Sequence, residues 1–489
     1  MKRLIFSIIA ISLALSSFAA KRGNTDTEEK TYNILVNIPE MKNDTVYLGF
    51  YYNGKTYSKD TAILNNKGTG AFTNKDKKKK EKLKEGIYMI YFNSDKFFDV
   101  LIGNDQDFKI SIFDTNVKLK EGEKKKETEI KVQDAIESMK FQGLINFMTE
   151  KREEQKVLSK RYKDKQIDST SYMEQSKKLN DEVTSFQENE IKTTEGTFYS
   201  AFLKGTIPVE TPEMKEMPDS SRQMARYHYA KNHYFDNVSL NNPWFLHTPY
   251  FPNKVDTYIS KYVIQHPDSI IASAVDLIER SKGNDETFQT MTSKMINYGL
   301  QSKIMGMDKV WLAIADKYYF SGQATWADSS WVEDLRKEAD KIRYNLIGMQ
   351  AHNLMARDSN DNVVQLRDLP QDLVLVYFYE PSCGHCKKTT PVLHDSVYVK
   401  YKDLGFEVFA FYTQTDKAEW QEFLKKHNLM DWTNVWDPHR ESWFWKYYDA
   451  SSTPGIYLLD KDRKFIAKKI DMNTLDMILN EELIKRKKK

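Results

Sequence analysis

Two cysteines three positions apart, Cys383 and Cys386, follow closely on the apolar run Leu373–Phe378, and this pairing constrains the chain more than any other feature. A run so uniformly apolar reads as a central buried strand. The stretch Cys383-Gly384-His385-Cys386 then falls on the turn from that strand into a helix. A sulfur at a helix N-terminus faces unpaired N–H groups that favour its thiolate, which suits reversible sulfur–sulfur chemistry. The chain's 489 residues hold no other cysteine, and a bridge across so short a loop restricts the unfolded chain little. A redox role is expected in place of a stabilising one.

The first residues read as an export signal spanning 1–19. Met1-Lys2-Arg3 is a positive start, Leu4–Leu15 is apolar, and Ser17-Phe18-Ala19 gives a small-x-small cleavage pattern. The apolar run is shorter than the roughly 20 residues a membrane-spanning helix needs, and it is not followed by a lipid-accepting cysteine. The expectation is a cleaved, periplasmic protein, with an uncleaved signal acting as membrane anchor as the alternative. In such an oxidising space a large protein can bury cores without structural disulfides.

Lys plus Arg total 73 and Asp plus Glu 70, a formal charge of only +3. That balance, with export, argues against a nucleic-acid partner. The basic runs Lys77–Lys80, Lys124–Lys126 and Lys485–Lys489 read as solvated loops or tails.

Three regimes follow the signal, and the expected fold class is multidomain. Residues 30–118 form a small all-β, sandwich-like domain. Its strands are Tyr32–Ile38, Thr45–Tyr52, Ile87–Phe92, Phe97–Ile102 and Phe108–Phe113, broken at Asn53-Gly54, Gly68-Thr69-Gly70 and Gly103-Asn104-Asp105. Residues 127–345 change to a helical period. Phe141, Leu144, Ile145 and Met148 make one apolar face, repeated by Tyr172, Leu179, Val183 and Phe186, which predicts a long antiparallel hairpin. Further helices are expected over Val255–Val263, Ser269–Arg280, Phe288–Gln301 and Trp331–Tyr344. Residues 347–489 alternate strands (Val363–Leu366, Leu373–Tyr379, Phe406–Tyr412, Gly455–Leu459, Lys464–Ile470) with helices (Cys383–Tyr401, Lys417–His427, Asn473–Lys485), an α/β pattern with a sheet covered on both faces.

On these residues the third regime resembles the thioredoxin fold, closest to the TlpA/ResA-like branch of exported thiol-disulfide oxidoreductases. The apolar strand runs into the Cys383–Cys386 motif, Lys387 follows, Pro391 sits where the family kinks its helix, and Thr453-Pro454 precedes an apolar strand where the family carries a cis-proline. The two earlier regimes are similar to domain families of unknown function found ahead of such domains. The resemblance implies an enzyme with Cys383 as nucleophile and Cys386 as resolving thiol. It implies redox tuning by Gly384 and His385, and a substrate-binding surface at Thr453 and Pro454. No metal or organic cofactor is implied. Partners would be protein thiols and disulfides, with a membrane thiol-disulfide relay as electron donor or acceptor. A Gly-His dipeptide leans away from strong reduction, yet the branch uses varied dipeptides, so reductase and isomerase directions both stand.

The chain departs from its relatives in three places. Ser382 stands where many carry Trp, Tyr377 replaces the buried acid six residues before the first cysteine, and Thr389 takes the place of a Glu in the ResA-like members. The proton acceptor for Cys386 is thereby unassigned, with Glu380 or a water as candidates. Zinc would need about four ligands, and the cysteines supply two. The rival to an enzyme is an envelope ligand- or partner-binding protein whose thioredoxin-like domain serves docking.

Overall fold

A computed structural model of the chain describes residues 31–75, 80–93, 96–113 and 128–485. The expected export signal, the run Lys124–Lys126 and most of Lys77–Lys80 and Lys485–Lys489 lie outside the described residues. The chain divides into two compact units. One holds the chain up to Tyr199 apart from Tyr51–Thr56, and the other holds Tyr51–Thr56 and everything from Ser200.

The first unit opens with strands β1 (Asn33–Asn37), β2 (Thr45–Tyr52), β3 (Lys55–Ile63), β4 (Thr69–Thr73), β5 (Gly86–Asn93), β6 (Lys96–Ile102), β7 (Asp107–Phe113) and β8 (Glu129–Gln133). They form two four-stranded sheets, β4-β1-β7-β8 and β3-β2-β5-β6. Inward residues alternate as the pleat demands: Ile34 and Val36, Val46 and Leu48, Phe108 and Ile110 meet in one apolar core. All five expected strands are present. The sequence did not disclose β3, whose Lys55-Thr56-Tyr57-Ser58-Lys59 stretch is exposed and polar, nor β4, which begins inside the expected break Gly68-Thr69-Gly70, nor β8, which lies in the stretch expected to be helical from residue 127. Asn53 and Gly54 both have positive φ (47° and 75°), the conformation a two-residue hairpin turn requires.

The helical hairpin follows as α1 (Ile136–Lys163) and α2 (Ser169–Thr193), with Asp168 capping α2 through the Ser171 N–H at 2.8 Å. Its seam is aromatic and charged. Phe147 stacks on Phe186 at 4.0 Å, Tyr162 on Tyr172 at 4.6 Å, and Lys151 binds Glu182 at 2.7 Å.

In the second unit, α4 (Asp219–Asn232), α5 (Phe251–Thr257), α6 (Pro267–Arg280), α7 (Asp285–Gln301), α8 (Asp308–Ile314) and α9 (Ser329–Ile342) follow a short α3 (Phe198–Thr206), which belongs to this unit from Ser200 onward. They enclose a core around Leu277, Met291, Met295, Trp311 and Tyr318. Gly299 lets α7 approach α8 closely, since a Cβ there would lie 2.6 Å from the Trp311 nitrogen.

The rest of the second unit is a seven-stranded sheet. Its strands are β9 (Met355–Arg357), β10 (Val363–Gln365), β11 (Leu373–Tyr379), β12 (Phe406–Tyr412), β13 (Thr433–Trp436), β14 (Gly455–Leu459) and β15 (Phe465–Lys468), in the order β10-β9-β13-β12-β11-β14-β15. Every residue of β11 and β12 is buried, because each face of the sheet carries its own core. This is the thioredoxin fold expected of the third regime. Helix α10 (Gly384–Val392) packs on one face and contains Pro391. Proline removes one helical N–H and crowds the preceding turn, and the helix widens into a π-type stretch over Leu393–Tyr398.

Candidate active site

Strand register builds the site. β11 and β14 pair antiparallel with Phe378 opposite Gly455, so the residues just past each strand end meet. Those residues are the turn Glu380-Pro381-Ser382 leading to Cys383 and the dipeptide Thr453-Pro454, whose peptide bond is cis. Cys383 caps α10: its backbone is extended (φ −69°, ψ 120°) and its sulfur accepts the Cys386 N–H at 3.3 Å. A capping sulfur takes one of the N–H groups that have no partner within the helix.

The Cys383 thiol donates to the Thr453 carbonyl at 3.2 Å. The Thr453 hydroxyl donates to Glu380 Oε1 at 2.6 Å, and Gln414 Nε2 donates to Glu380 Oε2 at 2.8 Å. The site thus unites Cys383, Cys386, Thr453 and Pro454, all singled out in the sequence, with Glu380. Gly384 and His385 are exposed on the first turn of α10. A Cβ at Gly384 would meet nothing within 4 Å, so its small size serves an open face beside the sulfur. Ser382 is exposed as well.

The two thiols differ in chemistry. Burial alone would raise Cys383, but hydrogen bonds from the Cys386 side chain and N–H, from Thr453 and from the His385 backbone outweigh it, and its pKa falls below the ordinary thiol value. Cys386 is fully buried, and burial pushes it up to about 12 against smaller opposing hydrogen bonds at Glu380 and Thr453. One sulfur is therefore primed as a thiolate at the surface, and the other is held protonated beneath it.

Behind Cys386, the hydroxyls of Tyr377 and Thr390 hydrogen-bond at 2.9 Å in full burial. Burial raises the Tyr377 phenol, so it stays neutral where a carboxyl would have been a charge. Neither Thr390 nor Gln414 carries a local sequence signal; both matter only through partners distant in the chain. Beside Pro454 runs a groove of about 590 Å³ lined by Lys388, Thr389, Val392, Gly455, Ile456 and Met472. Among the described residues no group of three or more His, Cys, Asp or Glu side chains is placed to hold a metal ion.

Residues 371–465 match the model of a thioredoxin-like family. A solved domain of a possible thiol-disulfide isomerase from Cytophaga hutchinsonii is 32% identical over 29% of this chain and 97% of its own, with a TM-score of 0.28. The chain belongs to the thioredoxin-like thiol-disulfide oxidoreductases. The thioredoxin-like domain is also 26% identical, over 140 residues, to a thiol-disulfide oxidoreductase ResA of Bacillus cereus, covering 29% of this chain and 78% of that protein. A thioredoxin-like protein from Bacteroides caccae is 18% identical over 56% of this chain and 98% of its own, with a TM-score of 0.41. Ahead of the thioredoxin-like domain, residues 163–350 match a domain family of unknown function, DUF5106. Among the described residues no helix is long and apolar enough to cross a membrane.

Proposed function

We propose that this protein is an exported thiol-disulfide oxidoreductase that exchanges disulfides with envelope proteins through Cys383 and Cys386. The observation that carries the reading is the asymmetry of the pair. Cys383 is partly exposed with a lowered thiol pKa, and Cys386 is buried with a raised one. The Cys383 thiolate attacks a partner disulfide, one partner sulfur leaves, and a mixed disulfide forms. Cys386 then attacks Cys383 and releases the second partner sulfur. Two electrons pass to the partner, and the protein is left with a Cys383–Cys386 bond.

Thr453 and Pro454 form the rim on which an extended partner segment lies, supported by the groove beside Pro454. Gly384 and His385 set the poise of the couple. The pattern of residues 1–19 supports export to the periplasm, where a membrane thiol-disulfide relay would return the pair to its working state. The 347–489 thioredoxin-like domain carries this chemistry, behind the β-rich domain of residues 30–118 and the helical domain of residues 127–345. Insulin reduction by the wild type, lost in Cys383→Ser, tests the reading. Capture of envelope proteins as mixed disulfides by Cys386→Ser identifies the clients. Absence of both would leave only a docking role for the domain.

A further inference from the structure

The sheet brings a second feature to the edge that carries the thiols. Tyr379, Tyr412 and Trp436 are paired in one row across the parallel strands β11, β12 and β13, so the chain leaves β11 toward Cys383 and β13 toward Asp437 at the same edge. The segment after β13 ends in the rim dipeptide Thr453-Pro454, and its Asp449 and Ser452 line the groove beside Pro454. Phe444 anchors the segment, with ring centres 5.8 Å from Phe378 and 4.8 Å from Phe411. Trp443 and Trp445, on either side of Phe444, are 53% and 41% exposed, with rings 6.0 Å apart and 18° from parallel. Trp443 has φ 55°, a left-handed conformation uncommon for a bulky residue. The buried Asp437 carboxylate sustains it, accepting the Glu441 N–H at 3.0 Å, the Ser442 N–H at 2.8 Å and the Ser442 hydroxyl at 2.6 Å. A costly backbone conformation that shows two indoles to solvent fits a surface used for recognition.

Charge gives the partner's chemistry. The Arg440 guanidinium lies 4.6 Å from the Trp445 ring centre, and the Lys446 ammonium 5.3 Å from that of Trp443. A ring holds a cation without neutralising it, and among the described residues neither Arg440 nor Lys446 has a carboxylate partner. Lys388, exposed in the groove beside Pro454, has none either. The acids of the rim and groove are already engaged: Glu380 by Thr453 and Gln414, Asp449 by Lys469 at 2.7 Å, and Asp471 by the Thr474 N–H. Glu441 is exposed and offsets one of the cations. We propose that Trp443 and Trp445, with Arg440, Lys446 and Lys388, dock an acidic segment of the protein client next to the disulfide that Cys383 attacks. This rests on the disulfide-exchange reading above and names the class of client. The indoles supply apolar contact area, which the small, exposed Ser382 beside Cys383 does not. The guanidinium fork and the two ammoniums pair with client carboxylates. They also offset the repulsion between an acidic client and the Cys383 thiolate.

The test is single-turnover reaction of the reduced full-length protein with three peptides of one length, whose single cysteine is flanked by Glu, Gln or Lys and capped as a pyridyl disulfide. The Cys383 thiolate attacks the peptide sulfur, a Cys383–peptide bond forms, and thiopyridine leaves with the electron pair of the broken bond, takes a proton and is read by absorbance. Rates for each peptide are divided by those with mercaptoethanol, which cancels the peptides' own reactivity. Rates for each variant are divided by those with dithiodipyridine, which cancels changes at the thiols. The wild type should react with the Glu peptide about 10-fold faster than with the Gln peptide at low salt, and slowest with the Lys peptide, the spread closing at high salt. Trp443→Ala with Trp445→Ala should slow the Glu peptide by about 10-fold, as loss of a central aromatic contact does. Arg440→Glu with Lys446→Glu should erase the preference for Glu over Lys. Equal wild-type rates for the three peptides at every salt concentration, or a Glu preference that both variants keep, would overturn the docking surface and leave disulfide exchange standing. Equal peptide rates together with sedimentation on phosphatidylglycerol vesicles, lost in the double tryptophan variant, would overturn it in favour of a lipid contact. If the wild type releases no thiopyridine from dithiodipyridine, the exchange reading falls and the docking proposal with it.

Discussion

The thiol of Cys383 and the carbonyl of Thr453, 70 residues apart in the chain, are hydrogen-bonded at 3.2 Å. The β11–β14 register creates this contact, because it brings together the residues just past the two strand ends. The burial of the Cys383 sulfur is countered by other groups, the Cys386 side chain and N–H, the Thr453 side chain and the His385 backbone.

The thiols should therefore label unequally. Cys383, with its pKa lowered, should react with iodoacetamide below the pH at which an ordinary thiol does, because alkylation follows the thiolate fraction. Cys386, pushed up to about 12, should stay unlabelled through neutral pH in the folded protein and react only on unfolding. Mass spectrometry of protein alkylated across a pH series measures both. Equal labelling of the two would contradict the asymmetry.

His385 should govern the poise. Replacing it with proline gives the Gly-Pro dipeptide of reductive thioredoxins and removes an exposed imidazole from the first turn of α10. The midpoint potential should fall by tens of millivolts, where about 30 mV corresponds to 1.4 kcal/mol for a two-electron couple. Equilibration with glutathione buffers reads the shift, and an unmoved potential would remove His385 from the tuning role.

Tyr377→Phe isolates a structural hydrogen bond from the chemistry. It leaves Thr390 Oγ1 without its 2.9 Å partner in full burial. The expected cost is about 1–2 kcal/mol of stability, seen as an earlier urea transition. The rate at which Cys386 resolves a mixed disulfide should not change.

Lys468 offers a stability test inside the second unit. Its side chain is only 7% exposed, and it binds Asp308 on α8 and Asn345 Oδ1, the latter at 3.0 Å. Burial lowers its pKa against the pull of Asp308. Asp308→Ala would strand a buried ammonium and should cost about 3 kcal/mol. The paired change of Lys468→Met with Asp308→Leu should recover most of that loss. For a lysine with a depressed folded pKa, the native state holds fewer protons than the unfolded state. The single variant, with Asp308 gone, should therefore be least stable at neutral and acidic pH and gain stability as pH rises through the lysine range. Urea unfolding across pH measures the sign.

Much of the architecture was legible because apolar periodicity is a local property. β2, β5, β6, β7, β11, β12 and β14 each carry a run of β-branched or aromatic residues, and α1 and α2 show their stripes directly. β3 and β9 escaped because they take their strand state from a neighbour's backbone. β3 is mostly exposed and polar, and β9 has three residues. β13 escaped for a different reason: it is four residues long and follows directly on Trp432, with too short a run to show a period.

For the site, residue types alone announced the chemistry: two sulfurs at a spacing that fits one helical turn, after an apolar strand, with a proline before a later strand. The chain order of those residues fixes which sulfur caps the helix and which lies under it. What folding decided is everything that depends on separations of tens of residues. Only the alignment of β14 against β11 brings Thr453 to Glu380 and Cys383, and only the parallel β12 brings Gln414 to the same carboxylate. Local sequence sets backbone preference and apolar period, whereas hydrogen bonds between strand ends depend on register, which the packing of the whole sheet selects.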